Sequence, residues 1–253
     1  MRIIGTNKII NIAPLFASWD EVAVLSCLQG HMGQVWADNE DAPTVAKIVF
    51  AGFCYVAGDA NSAQAREILR QIPKGFELQL NSEAWHKTAQ ETLADTTQKF
   101  TRFNFKRDFG MFDREKLRSH IKTLPDWYEI SLIDEEMFRY LPTLNWSRGH
   151  CSQLPSFAKF QKYGAGFVAL YRGEPICAAS PYVYSDEGID IQIDTVKLHR
   201  RKGIAAACAA SLILECLDKA IFPVWSADCK ESCYLAEKLG YQLDRESVSY
   251  EIV

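Results

Sequence analysis

Nothing in the 253 residues comes near the roughly eighteen consecutive apolar residues of a membrane span, which argues against a transmembrane helix. The eight cysteines form no Cys-x-x-Cys pair. Cys229 and Cys233 would share a helix face, but no histidine neighbours them, so no metal site is read. Neither GxxxxGK[ST] nor GxGxxG occurs, which removes two familiar glycine loops for nucleotide phosphates. Positive charge is also scarce. With 28 Lys and Arg against 32 Asp and Glu, the net charge of −4 speaks against a general nucleic-acid binder and leans toward a cationic small substrate. The opening stretch, residues 1–16, has no continuous apolar core leading to a small-residue cleavage site. The expectation is a cytoplasmic protein with reduced, mostly buried thiols, no signal peptide and no membrane partner.

What is present is a globular composition, 48% hydrophobic and 24% charged, on a chain long enough for one large domain or two ordinary ones. Two lobes suggest themselves, 1–123 and 124–253. Each reads strand, strand, strand, helix, strand, helix, strand, which suggests an internal duplication at low residue identity. Asn61 to Ile72 would match a helix that follows Gly203, and 76–81 would match 222–227.

The second lobe is organised around Gly188 to Lys219. Ile189, Ile191 and Ile193 alternate with Asp190, Gln192 and Asp194, the period of a strand. A basic turn follows, Arg200-Arg201-Lys202-Gly203, and then an Ala-rich run without charge from Gly203 to Leu214. A helix starting there points unpaired N–H groups and the positive end of its dipole into the turn. Gly203 lets a ligand approach the backbone, and the whole suits a pyrophosphate. The first lobe carries Gly58-Asp59-Ala60-Asn61 at the matching place, an acidic turn that would repel one.

Arg200-x-x-Gly203-x-Ala205 resembles the acyl-CoA signature of the GNAT N-acetyltransferase superfamily. Downstream, Trp225-Ser-Ala-Asp228 and the helix ending Glu237-Lys-Leu-Gly-Tyr241 are similar to that family's last motif. With its upstream lobe the chain resembles the two-lobed subgroup that contains the zwittermicin-resistance acetyltransferases. The resemblance implies an α+β fold: a mixed sheet splayed open and flanked by helices, with the N-terminal lobe a degenerate copy that has lost its cofactor site. It implies acetyl-CoA in the splay. Thr195 and Val196 would pair with the pantetheine amides, and the N–H groups of Arg201, Lys202, Gly203, Ile204 and Ala205 would hold the pyrophosphate. Arg200 and Lys202 would add charge near the phosphates. The activity implied is transfer of an acetyl group to a primary amine of a small molecule by direct attack, with a homodimer compatible with it.

A strand inside a covered sheet should be apolar on both faces, so the polar face of Asp190, Gln192 and Asp194 implies a cleft. Asp190 is the preferred base for the substrate ammonium, with Glu187 on the preceding turn as the alternative. Many relatives carry a tyrosine four residues before the last-motif glycine as acid to the thiolate; this chain has Ala236 there. Ser232, Tyr234 or Cys229 could stand in, or the thiolate could leave unprotonated. The resemblance implies substrate contacts from Trp146, Arg148 and His150. Two other classes remain beside the enzyme: a non-catalytic acyl-CoA sensor and an interaction protein.

Overall fold

Residues 1–253 are all described by the computed structural model, and their packing gathers them into two units, Met1–Arg102 with Glu246–Val253, and Phe103–Arg245. The seam therefore falls earlier than the expected boundary between 123 and 124, and the end of the chain goes with the first unit. Packing explains both differences. Phe103 and Asn104 pair with Ala227 and Ser226, and Phe105 and Leu117 lie in a core with Ala206, Ala210 and Trp225. Ser249, Tyr250 and Glu251 pair instead with Gln79, Leu78 and Glu77.

In the first unit the order is β1 (Arg2–Ile3), α1 (Ile9–Ile12), α2 (Val22–Leu28), β2 (Gln34–Ala37), β3 (Val45–Phe50), β4 (Phe53–Gly58), α3 (Ala63–Arg70), β5 (Glu77–Gln79), α4 (Glu83–Leu93) and β6 (Thr97–Phe105), whose end passes into the second unit. Strands β1 to β4 are successive antiparallel neighbours, and β4 pairs with β5 in parallel. Helices α3 and α4 start at Ser62 and Ser82, whose hydroxyls accept from the N–H groups of Ala65 and Trp85. Ile68, Leu69, Trp85 and Ala89 on these helices bury against Val45, Val56 and Leu78.

The second unit continues with α5 (Arg114–Lys122), β7 (Tyr128–Leu132), α6 (Glu135–Tyr140), α7 (Phe157–Tyr163), β8 (Phe167–Tyr171), β9 (Glu174–Tyr184), β10 (Gly188–Thr195), α8 (Ile204–Asp218), β11 (Phe222–Val224), β12 (Ser226–Ala227), α9 (Lys230–Leu239) and β13 (Leu243–Ile252), the last returning to the first unit. Strands β7, β8, β9 and β10 are antiparallel in turn, and β10 pairs with β11 in parallel. The fold is the expected one, mixed sheets flanked by helices.

Two features position the site. Helix α8 is buried nearly all round, from Ile204 through Ile213, because it has apolar side chains on every face and packs between sheet and helices. The parallel ladder of β10 on β11 is short: Gly188, Ile189 and Asp190 face Phe222, Pro223 and Val224, and then the strands part. The first unit repeats this geometry, with Phe53, Cys54 and Tyr55 facing Glu77, Leu78 and Gln79 before β4 runs on alone. No helix of the chain is long and apolar enough to cross a membrane.

Candidate functional site

Where β10 leaves β11, a cavity of about 590 Å³ opens, lined by β10 from Ile191, by the turn before α8 and by one face of α9. Arg200, Arg201 and Gly203 bring the basic turn to its wall. Arg201 and Gly203 both have left-handed backbones, φ 64° and 83°, on either side of Lys202. That alternation turns successive N–H groups toward one side, a concavity suited to an anion. Gly203 is the N-cap of α8 and offers no side-chain oxygen to the first-turn N–H groups. A Cβ added at Gly203 would meet nothing within 4 Å, so the space in front of the helix is open. The first unit differs at this point. There Ser62 caps α3 with its own hydroxyl, and Asp59 accepts from the Asn61 N–H.

The expected cofactor residues divide. Thr195, Arg200, Arg201, Gly203, Ile204 and Ala205 all line the cavity. Val196 and Lys202 do not. Val196 gives its N–H to Ile176 O at 2.8 Å, so its amide faces β9. Because successive amides of a strand point to opposite sides, the Thr195 amide faces the gap. The Thr195 carbonyl accepts from Arg200 Nε at 3.0 Å, which ties the basic turn to the strand end.

The acidic face of β10 also divides. Asp190 pairs with Val224 where the ladder is still closed, and it does not line the cavity; neither does Glu187, exposed on the turn before β10. Asp194 is the strand's cavity carboxylate. Burial works to raise its pKa, but the close nitrogens of His150 and Gln192, with the charge of Arg200, outweigh that and hold the carboxyl below its ordinary value. The sequence showed Asp194 as one of three polar positions but not where the strands part, which is what singles it out.

Of the three expected substrate residues, His150 alone reaches a cavity side chain. It is wholly buried, with Nε2 3.2 Å from Asp194 Oδ2 and Nδ1 2.7 Å from Ser180 Oγ. Trp146 is half-buried with its ring 6.4 Å from that of His150, and exposed Arg148 turns back to Asn145 Oδ1 at 2.9 Å. Neither lines the cavity.

On α9 the cavity face is Glu231, Ser232, Tyr234, Leu235 and Lys238. This is helical spacing, and it could have predicted Glu231 and Lys238 once Ser232 was chosen. Trp225 Nε1 donates to Ser232 Oγ at 3.1 Å. An indole N–H only donates, so the serine accepts there, and its own hydrogen is not used in that contact. Ala236, one turn after Ser232, does not line the cavity and is wholly buried in the core with Trp225 and Leu239. A tyrosine introduced at that position would be overpacked. Ala236→Tyr is expected to destabilise the protein by about 1–3 kcal/mol, read as a fall in Tm of several degrees, without raising turnover.

The GNAT acetyltransferase sequence pattern matches residues 13–250. A GCN5-related N-acetyltransferase-like protein of Streptococcus suis is 33% identical, covers 97% of this chain and 98% of its own, and superposes with a TM-score of 0.87. An uncharacterised N-acetyltransferase of Bacillus subtilis is 23% identical over 228 residues, 86% of this chain and 85% of its own. A tandem GNAT protein from the clavulanic acid biosynthesis pathway shares the fold at 10% identity, with a TM-score of 0.61 over 98% of this chain and 96% of its own.

Proposed function

The chain belongs to the GNAT acetyltransferase family, whose members transfer an acyl group from acyl-CoA, and from that premise we propose that it moves acetyl from acetyl-CoA to a primary amine of a small molecule. The observation that carries this reading is the uncapped start of α8, opening between its left-handed turn and the parted strands. In this reading the N–H groups from Arg201 to Ala205 hold the pyrophosphate and Arg200 adds charge beside it. The pantetheine lies along Thr195, whose amide faces the gap and brings the thioester toward Asp194. The side chain of Lys202, outside the cavity, contributes only long-range charge.

Chemistry by direct attack needs three things of this chain: a counter-ion for the incoming ammonium, an acceptor for its proton and a donor for the departing thiolate. Asp194 is the counter-ion, because a carboxyl held low stays charged and is a poor proton acceptor. Asp190, half-buried and two strand repeats before it on the same face, receives the proton through water. Ser232 donates to the thiolate with the hydrogen that Trp225 leaves free. Ser232→Ala is expected to lower kcat by about tenfold with acetyl-CoA affinity unchanged, the order of one lost hydrogen bond. The first unit, with its self-capped α3 and Asp59, is in this proposal a copy without a cofactor site.

The test is thiol release from acetyl-CoA against a panel of polyamines, amino sugars and amino acids. Amine-dependent release establishes the reading. Acetyl-CoA binding with no release on any amine would point to an acyl-CoA sensor, and no binding at all to an interaction protein.

A further inference from the structure

Two buried polar atoms beside β10 have no hydrogen-bond partner, His150 Nε2 and Gln192 Oε1. Orphans of this kind are uncommon in a folded protein, and two belonging to neighbouring side chains call for an explanation. Both side chains lead to the same atom. Gln192 Nε2 donates to Asp194 Oδ2 at 2.9 Å, and His150 Nε2 lies 3.2 Å from that same oxygen, near enough for an ion pair but not aligned as a hydrogen bond. Behind the imidazole, Nδ1 is 2.7 Å from the hydroxyl of buried Ser180. A hydroxyl can give or accept, so this contact survives whichever ring nitrogen carries the proton. Gly149 closes the arrangement from outside: a Cβ there would collide with the Gln192 amide.

Two nitrogens therefore lie against Oδ2, and Asp194 itself lines the cavity. We propose that His150 is the positioning residue of the acceptor site: backed by Ser180, it holds Oδ2 inward together with Gln192, so that Oδ1 is presented to a cationic nitrogen. His150 is wholly buried and touches no ligand, so it acts only through Asp194. The proposal rests on the reading of this cavity as the meeting place of acyl-CoA and an amine. It adds the class of acceptor that the arrangement selects. A carboxylate oxygen offers only acceptor lone pairs, which suits an ammonium and repels a carboxylate or phosphate.

The experiment uses the full chain with bound coenzyme A, ¹⁵N-labelled on histidine, and spermidine as the cationic probe. The chain has five histidines, and the His150 signals are those missing from His150→Gln. The wild-type ring is expected to carry its proton on Nε2, to shift when spermidine is added, and to lose that response in Asp194→Asn. By calorimetry, His150→Phe keeps the ring volume but not the donor, and should weaken spermidine binding by about tenfold. His150→Gln, whose amide can still reach Oδ2, should recover it to within about threefold. A His150 signal indifferent to spermidine and to Asp194→Asn, or equal affinities across the two His150 variants, overturns the proposal. Acetyl-CoA affinity measured alongside separates the failures. If acetyl-CoA binds while His150 is indifferent, only the positioning role falls; if acetyl-CoA does not bind, the reading of the cavity falls first.

Discussion

Gly203→Trp is expected to lower acetyl-CoA affinity by at least about a hundredfold, a loss of roughly 2.7 kcal/mol. Two costs combine. Gly203 sits at φ 83°, where a residue with a Cβ is strained by about 1–2 kcal/mol, so the turn would relax away from the geometry that aims its N–H groups. The indole must also occupy the open space in front of α8, which is where the diphosphate is proposed to lie. Gly203→Ala isolates the first cost and should lose only about tenfold. Lys202→Ala should change affinity by no more than about threefold, because that side chain is outside the cavity, whereas Arg200→Ala removes both a charge and the link to Thr195. Calorimetry with acetyl-CoA reads all four. Full affinity in Gly203→Trp would mean that the pyrophosphate is held elsewhere.

The residues of that turn were legible in the sequence for a local reason. A strand's alternation, a glycine, and a helix without charge each leave a mark within a few positions, and Gly188 to Leu214 carries all three. Ser62 and Asp113 cap their helices with side-chain oxygens, the kind of chemistry a single residue carries. What could not be read was anything fixed by a distant partner. The end of β13 joins β5 because Tyr250 and Ile252 complete the first unit's core, and no local pattern says which lobe a terminal strand will enter. The direction of the Val196 amide follows from its register on β9, which carries a bulge opposite the Asp190/Ile191 step. The separation of Asp190 from Asp194 follows from the parallel ladder ending at Val224. His150 was visible as a residue, but its burial against Ser180 depends on a strand thirty positions away.

That separation of the two carboxylates yields the second large effect. Asp190→Asn is expected to lower kcat by about a hundredfold while leaving the amine KM and acetyl-CoA affinity nearly unchanged, since an amide keeps the shape but takes no proton. Asp194→Asn should do the converse, raising the amine KM by about tenfold or more with a small change in kcat. The asymmetry comes from what surrounds each group. Asp194 has His150 and Gln192 on one oxygen and Arg200 nearby, which hold its carboxyl low and make it an anchor. Asp190 sits on the same face, away from the cavity lining, where the proposal has it take the proton of the attacking nitrogen through water. Steady-state kinetics of the two variants on the best amine of the panel distinguishes these roles. Equal losses in kcat for both would make the carboxylates a single coupled pair, and an unchanged kcat for Asp190→Asn at every pH would remove Asp190 from the mechanism. An unmoved amine KM in Asp194→Asn would leave the ammonium without its counter-ion in this cavity. The two carboxylate roles therefore fail separately, because one concerns where the nitrogen is held and the other where its proton goes.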